Sequence, residues 1–123
     1  MKNQAYRMAM LFDFYGDLLT ERQREFYDLY YNEDLSLAEI AENYGISRQG
    51  VRDVIVRAEA SMTEIEDKTH IIRRFQQSRA AIAAIDQAAD KLLQSVDRRS
   101  YSDAMLDELA RTIKENVAKL EQE

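Results

Sequence analysis

The chain contains no cysteine and no proline, three glycines and a single histidine among its 123 residues. The absence of cysteine excludes disulfides, thiolate catalysis and cysteine-ligated metal. With no proline and so little glycine, almost nothing interrupts helices, and an almost entirely helical chain with short turns is expected. Long apolar runs are missing too, and none approaches the length of a membrane span. The opening residues, MKNQAYRMAMLFDFYGDLL, alternate apolar and polar side chains at helical spacing, with no apolar h-region leading to a cleavage site. They are read as part of the fold, and the chain as cytoplasmic.

Positive charge is also short where it would matter most. Residues 1–69 hold 8 Lys and Arg against 14 Asp and Glu, whereas residues 70–123 hold 9 of each. An acidic N-terminal part repels phosphate and forgoes much of the counterion release on which nucleic-acid binders draw.

The 46% of hydrophobic residues is enough for a modest core, and their spacing predicts where it lies. Tyr6, Met10, Leu11, Phe14 and Leu18 form an apolar stripe on a first helix expected from Asn3 to Leu19. Gly16 either weakens that helix or permits close packing. Thr20 with Gln23 is a capping box opening a second helix, Glu21 to about Tyr31, with Phe26, Leu29 and Tyr30 inward. Ser36 with Glu39 is another, opening a short helix from Leu37 to Tyr44.

Residues 37–56 then have the spacing of a helix-turn-helix. Ile40, Tyr44, Val51 and Val54 suit the seam between two short helices, Ala41 lets them approach, and Gly45 can take the left-handed conformation between them. Ser47 caps the second helix, whose buried stripe is Val51, Val54, Ile55 and Ala58, extended by Met62 and Ile65. Its end is open, at a restart either at Thr63 with Glu66 or at Thr69. This arrangement presents a recognition helix to a nucleic-acid groove.

From Ile71 the pattern changes. Ile71, Phe75, Ser78, Ile82, Ile85, Ala89, Leu92 and Val96 alternate spacings of four and three, a heptad seam broken only by Ser78. Residues 97–101 read as a turn, and Ser102 caps a last helix with Leu106, Leu109, Ile113, Val117 and Leu120 inward. The expected architecture is all-α: a helix-turn-helix domain over residues 1–67, winged-helix-like in outline, followed by a helical hairpin over residues 68–123. So many apolar positions exceed what a solitary exposed helix keeps, which makes the hairpin an oligomerisation element, a dimer being favoured.

The segment LTERQREFYDLYYNEDLSLAEIAENYGISRQGVRDVIVRA resembles the region-4 domain of bacterial sigma factors, through LTERQRE, the S-x-x-EIAE block and the GIS-x-x-x-V turn. More narrowly, LFDFYGDLLT, LYYNEDLSLAEIAE and ISRQGVRD resemble the YlxM family of small bacterial proteins, over roughly residues 6–75. That resemblance implies a regulator connected with the signal recognition particle pathway. These motifs do not extend into the hairpin after Phe75, which is assigned to no family pattern. The family segment usually reads ISRQAV, so Gly50 is a departure, costing about 1 kcal/mol against alanine in a helix. A true sigma factor is not expected, because promoter melting needs a further domain.

The candidate nucleic-acid-binding residues are Ser47, Arg48, Gln49, Arg52 and Arg57. Arginine forks suit guanine or phosphate and glutamine suits adenine, and Arg57, further along the same face, would lie over phosphates. The competing reading is a solvated helix face in which Arg52 or Arg57 pairs with Asp53. Phe26, Tyr27, Tyr30, Tyr31 and Tyr44 could stack on bases, but their helical spacing favours the core. His70 has no convergent partners and reads as an exposed residue at a helix start. Asp86/Asp90 and Asp103/Asp107 are like-charged pairs without a ligand loop, and Arg98-Arg99 is weak evidence for phosphate. With no nucleophile and base, phosphate loop or metal constellation, no enzyme, cofactor or metal is expected.

Three readings therefore stand. One is a non-enzymatic regulatory protein binding DNA, or the RNA of the signal recognition particle, and in contact with the particle's proteins. Another is an adaptor docking on a polymerase or targeting component without nucleic acid, which the acidic N-terminal part tolerates. The third, a regulator with its own operator, requires a dimer spacing its recognition helices about 34 Å apart.

Overall fold

The computed structural model describes residues 5–122. They form six α-helices: α1 (Ala5–Tyr15), α2 (Glu21–Tyr31), α3 (Leu37–Tyr44), α4 (Arg48–Thr69), α5 (Ile71–Asp97) and α6 (Asp103–Glu121). A single 3-10 turn, Gly16–Leu18, follows α1. The fold is all-α with a helix-turn-helix. Among the described residues there is no strand, so the motif carries no wing and the winged-helix outline is corrected. The chain divides into two compact units between Ile72 and Arg73.

In the first unit α4 is the central helix, packed by α1, α2 and α3. Its inner line is Val51, Ile55, Ala58 and Met62, all fully buried, with Val54 and Ile65 packed beside them. Phe26 and Tyr27 from α2, Ile40 and Ala41 from α3, and Met8, Leu11 and Tyr15 from α1 close around it. The Tyr27 ring stacks on Phe12 at 5.2 Å between centroids, and its hydroxyl donates to the Met8 carbonyl at 2.8 Å. The buried phenol therefore brings a large apolar surface into the core without leaving its polar end unsatisfied.

Local signals set the helix ends. Both capping boxes form: Thr20 Oγ1 accepts from Gln23 N and Ser36 Oγ accepts from Glu39 N, with each partner side chain returning to the cap. Gly45 ends α3 in the left-handed region (φ 67°), where a side chain would be strained.

Three expectations need correction, and the open question of Gly16 is decided. Helix α1 ends at Tyr15; its expected start, Asn3, lies outside the described residues. Tyr6 and Leu18 are exposed, and Met8, Leu11 and Tyr15 are the buried line. A Cβ on Gly16 would lie 3.1 Å from the Phe12 ring, so close packing explains that glycine. His70 does not start a helix: it ends α4 in the left-handed region (φ 56°) and donates its backbone N–H to the Glu66 carbonyl at 2.8 Å. Glu66 Oε1 accepts from Ile72 N at 2.9 Å and from the Tyr15 hydroxyl at 2.5 Å, tying the end of α4 to α1.

The second unit is an antiparallel hairpin of α5 and α6, turned at residues 98–102, with Ser102 Oγ accepting from Met105 N. The seam differs from the heptad read in the sequence. Ile71, Phe75, Ile82 and Val96 are exposed, whereas Ala81 and Ala88 are buried. Ser78, Ile85 and Leu92 of that heptad are partly buried beside the alanines, so one half of the expected seam is covered and the other half is open. On α6, Leu109 and Asn116 are the buried positions, and Val117 is only partly covered. Asn116 satisfies itself along its own helix, donating Nδ2 to the Thr112 carbonyl at 2.8 Å.

Candidate nucleic-acid interface

The turn between α3 and α4 sets out the candidate residues. Ser47 caps α4 by accepting from Gly50 N at 3.0 Å, which leaves its hydroxyl hydrogen available to a ligand. Behind it the α4 backbone is anchored by Val51 and Ile55, which have no exposed surface. Ser47, Arg48, Gln49 and Arg52 are consequently held on a rigid helix start and are all exposed. Arg48, Gln49 and Arg52 line an open depression of about 430 Å³ with Leu37 at the start of α3.

The electrostatics favour an anion locally. The uncapped N–H groups of the first turn and the positive end of the helix dipole add to the charge of the two arginines that line the depression. Among the described residues, Arg48, Arg52 and Arg57 enter no ion pair. The local pairing of Asp53 with Arg52 or Arg57 does not form. Asp53 accepts instead from Gln49 Nε2, at 2.9 Å. The sequence reading gave Asp53 only an arginine as partner, although its i, i+4 spacing from Gln49 was there to be read.

Arg57 needs correction. Helix α4 is continuous from Arg48, and nine residues turn an α-helix through about 900°, two and a half turns. Arg57 is therefore carried about half a turn round from Arg48, away from the face on which it was expected, and it takes no part in the depression.

The aromatic group is internal. Phe26 and Tyr27 are fully buried, and Phe26 meets Tyr44 edge-on at 4.9 Å. The Tyr31 hydroxyl donates to Glu59 and the Tyr44 hydroxyl to Glu25. Burial and the Glu59 carboxylate push the Tyr31 phenol well above its ordinary value, burial chiefly does so for Tyr27, and the bond to Glu25 raises Tyr44. These rings are core and interhelix residues, not a stacking platform. Elsewhere, Asp107 pairs with Arg111 at 2.8 Å, and no group of three or more His, Asp and Glu among the described residues could hold a metal ion. No helix among them is long and apolar enough to cross a membrane.

Residues 2–122 match the family described as "Putative helix-turn-helix protein, YlxM / p13 like". The chain is 47% identical over 87 residues to the UPF0122 protein of Bacillus thuringiensis (strain Al Hakam), a match spanning 71% of this chain and 79% of the relative. It is 43% identical over 104 residues to that of Shouchella clausii (strain KSM-K16), spanning 80% and 95%. Against the UPF0122 protein of Desulforamulus reducens it is 44% identical over 85 residues, spanning 69% and 73%.

Proposed function

The chain belongs to the YlxM/p13-like family of helix-turn-helix proteins, and we propose that it is a non-enzymatic regulator that binds nucleic acid through the start of α4 and acts in the signal recognition particle pathway. The observation that carries this reading is the pair of unpaired guanidinium groups, Arg48 and Arg52, at a capped helix start beside an open depression. Arg48 and Arg52 supply charge-assisted donors to phosphate or to guanine, Gln49 supplies an amide for a base edge, and Ser47 supplies a hydroxyl. Arg57 lies off this face and serves as its control.

The ligand is DNA or the RNA of the signal recognition particle, and the hairpin pairs the subunits. Two copies compensate for the small size of each basic face, since phosphate contacts multiply affinity when two heads engage one polyanion. The protein acts in the cytoplasm, with the particle's proteins as further partners.

The test is fluorescence anisotropy with labelled duplex DNA and with the particle's RNA, at low and at moderate salt. Binding that weakens steeply as salt rises supports the reading. No binding to either at low salt overturns it. A second reading, in which the same helices dock on a protein, is favoured by the excess of 14 acidic over 8 basic side chains in residues 1–69. Recovery of polymerase or targeting components by the purified protein, free of nucleic acid, would support that alternative.

A further inference from the structure

Helix α5 carries two apolar seams, and α6 covers one of them. The covered seam is the line of Ala81 and Ala88. The other lies about 110° round the helix, at about 100° per residue. Its apolar members are plainly open: Ile82 is 54% exposed, Leu93 64% and Val96 61%. With Phe75 and Ala89 they recur at spacings of three, four and seven, the register in which one helix packs on another. Water-facing positions of a lone hairpin would ordinarily be polar.

Two charges fall within this seam, Arg79 and Asp86. Arg79 lies over the Phe75 ring at 5.7 Å, and among the described residues neither it nor Asp86 enters an ion pair. They have opposite signs, sit seven residues apart, and straddle Ile82. A seam of that kind is complementary to itself when run in reverse. About a two-fold axis near Ile82, Arg79 meets Asp86 of the partner subunit, and Asp86 meets Arg79 of the partner subunit. A parallel pairing would instead set like charge on like charge, which excludes it.

We infer that two copies of this chain pair antiparallel through this face of α5, with Arg79 and Asp86 exchanged across the axis and Ile82 at its centre. The inference rests on the reading that the hairpin pairs subunits, and makes it specific to one face and one register. The two hairpins together form a four-helix unit in which each α5 meets α6 along the Ala81 and Ala88 line and the other α5 along the Ile82 line.

The absence of cysteine makes the test clean. In this register position 75 falls between positions 89 and 90 of the partner subunit, and 89 is the one on the seam. Mixing Phe75→Cys chains with Ala89→Cys chains is expected to give a disulfide-linked dimer on mild oxidation, whereas neither variant gives one alone. Sedimentation equilibrium supplies the second arm. Ile82→Glu buries a charge at the axis and is expected to weaken dimerisation about a hundredfold. Arg79→Glu is expected to weaken it about tenfold, and adding Asp86→Arg to restore it. Helix content by circular dichroism establishes that each variant folds. A wild-type chain that stays monomeric at about 100 µM, well above the Kd of a stable pair, overturns both this inference and the reading of the hairpin as a pairing element. A wild-type dimer indifferent to Ile82→Glu and to the charge reversals overturns this inference alone.

Discussion

Gln49 donates its side-chain amide to Asp53 one turn further along α4, at 2.9 Å. The pair engages the residue best suited to read a base edge and sets a carboxylate beside two arginines that would otherwise face a polyanion unopposed. Asp53 is thus an intrinsic brake on the proposed reading head. Asp53→Asn keeps an acceptor for Gln49 while removing the negative charge, and is expected to tighten nucleic-acid binding about threefold to tenfold at low salt, with the gain shrinking as salt screens it. Anisotropy titrations at two salt concentrations check this. Unchanged affinity would mean that ligand approaches from a side Asp53 does not face.

Arg48 and Arg52 belong to the same depression and Arg57 does not, which makes a three-way comparison possible. All three side chains are exposed, and among the described residues none is in an ion pair. Arg48→Ala and Arg52→Ala are expected to shift the thermal midpoint little, since surface changes of this kind stay within about 0.5 kcal/mol. Each should cost about 1–3 kcal/mol of binding if it contacts a base, or lower the salt slope by about one if it contacts phosphate. Arg57→Ala should leave binding as it was. Equal losses from all three would point to diffuse attraction by net charge, with no reading face.

How far the sequence foretold these features depends on how local each one is. The capping boxes at Thr20 and Ser36, the cap at Ser47 and the left-handed Gly45 involve residues three or four apart, and each formed where its side chains predicted. The inner line of α4 was legible for the same reason, because a buried stripe repeats with the helix. The covered face of α5 was not legible. That helix has two seams, and which one α6 covers depends on residues more than twenty positions away: Ala81 and Ala88 are buried, with Ile85 and Leu92 partly buried beside them, while Ile82 and Val96 stay open. Arg57 was misplaced although its phase is local: nine helical residues carry it about half a turn from Arg48, and a position further along a helix is on the same face only at spacings near three, four or seven. Asp53 was given the wrong partner for a different reason: an acid within a basic cluster was taken to pair with arginine, and it is held by glutamine.

The buried tyrosines give the fold a characteristic response to alkali. Tyr27 is fully buried and Tyr31 bonds to Glu59, and both phenols are held above the ordinary tyrosine value of about 10. In the unfolded chain they ionise near that ordinary value, so above it the unfolded state sheds protons that the native state keeps. Their contribution is present in full below about pH 10 and is lost as pH climbs toward the folded-state values. Urea midpoints are expected to hold steady from neutral pH to about pH 9 and then fall, the Tyr27 share approaching about 1.4 kcal/mol per pH unit. The paired change Tyr27→Phe with Tyr31→Phe should flatten that fall. An equally steep decline without the two hydroxyls would assign alkaline unfolding to other groups.

Gly50 occupies the third position of α4, where alanine would be the better helix former. A Cβ there would lie 3.2 Å from Ser47 Oγ and 3.7 Å from Ile46 Cδ1. The second distance is ordinary contact, whereas the first requires the cap to yield by a few tenths of an ångström. Its hydroxyl has room to do so, since the bond it accepts from the Gly50 backbone is 3.0 Å long and tolerates that displacement. Gly50→Ala should therefore stabilise the chain by about 0.5–1 kcal/mol, through the backbone entropy that glycine loses on folding. Urea denaturation of the two proteins measures this directly. A loss of stability would mean that the methyl group displaces Ser47 from its cap, and the same variant combined with Ser47→Ala would then show no further loss.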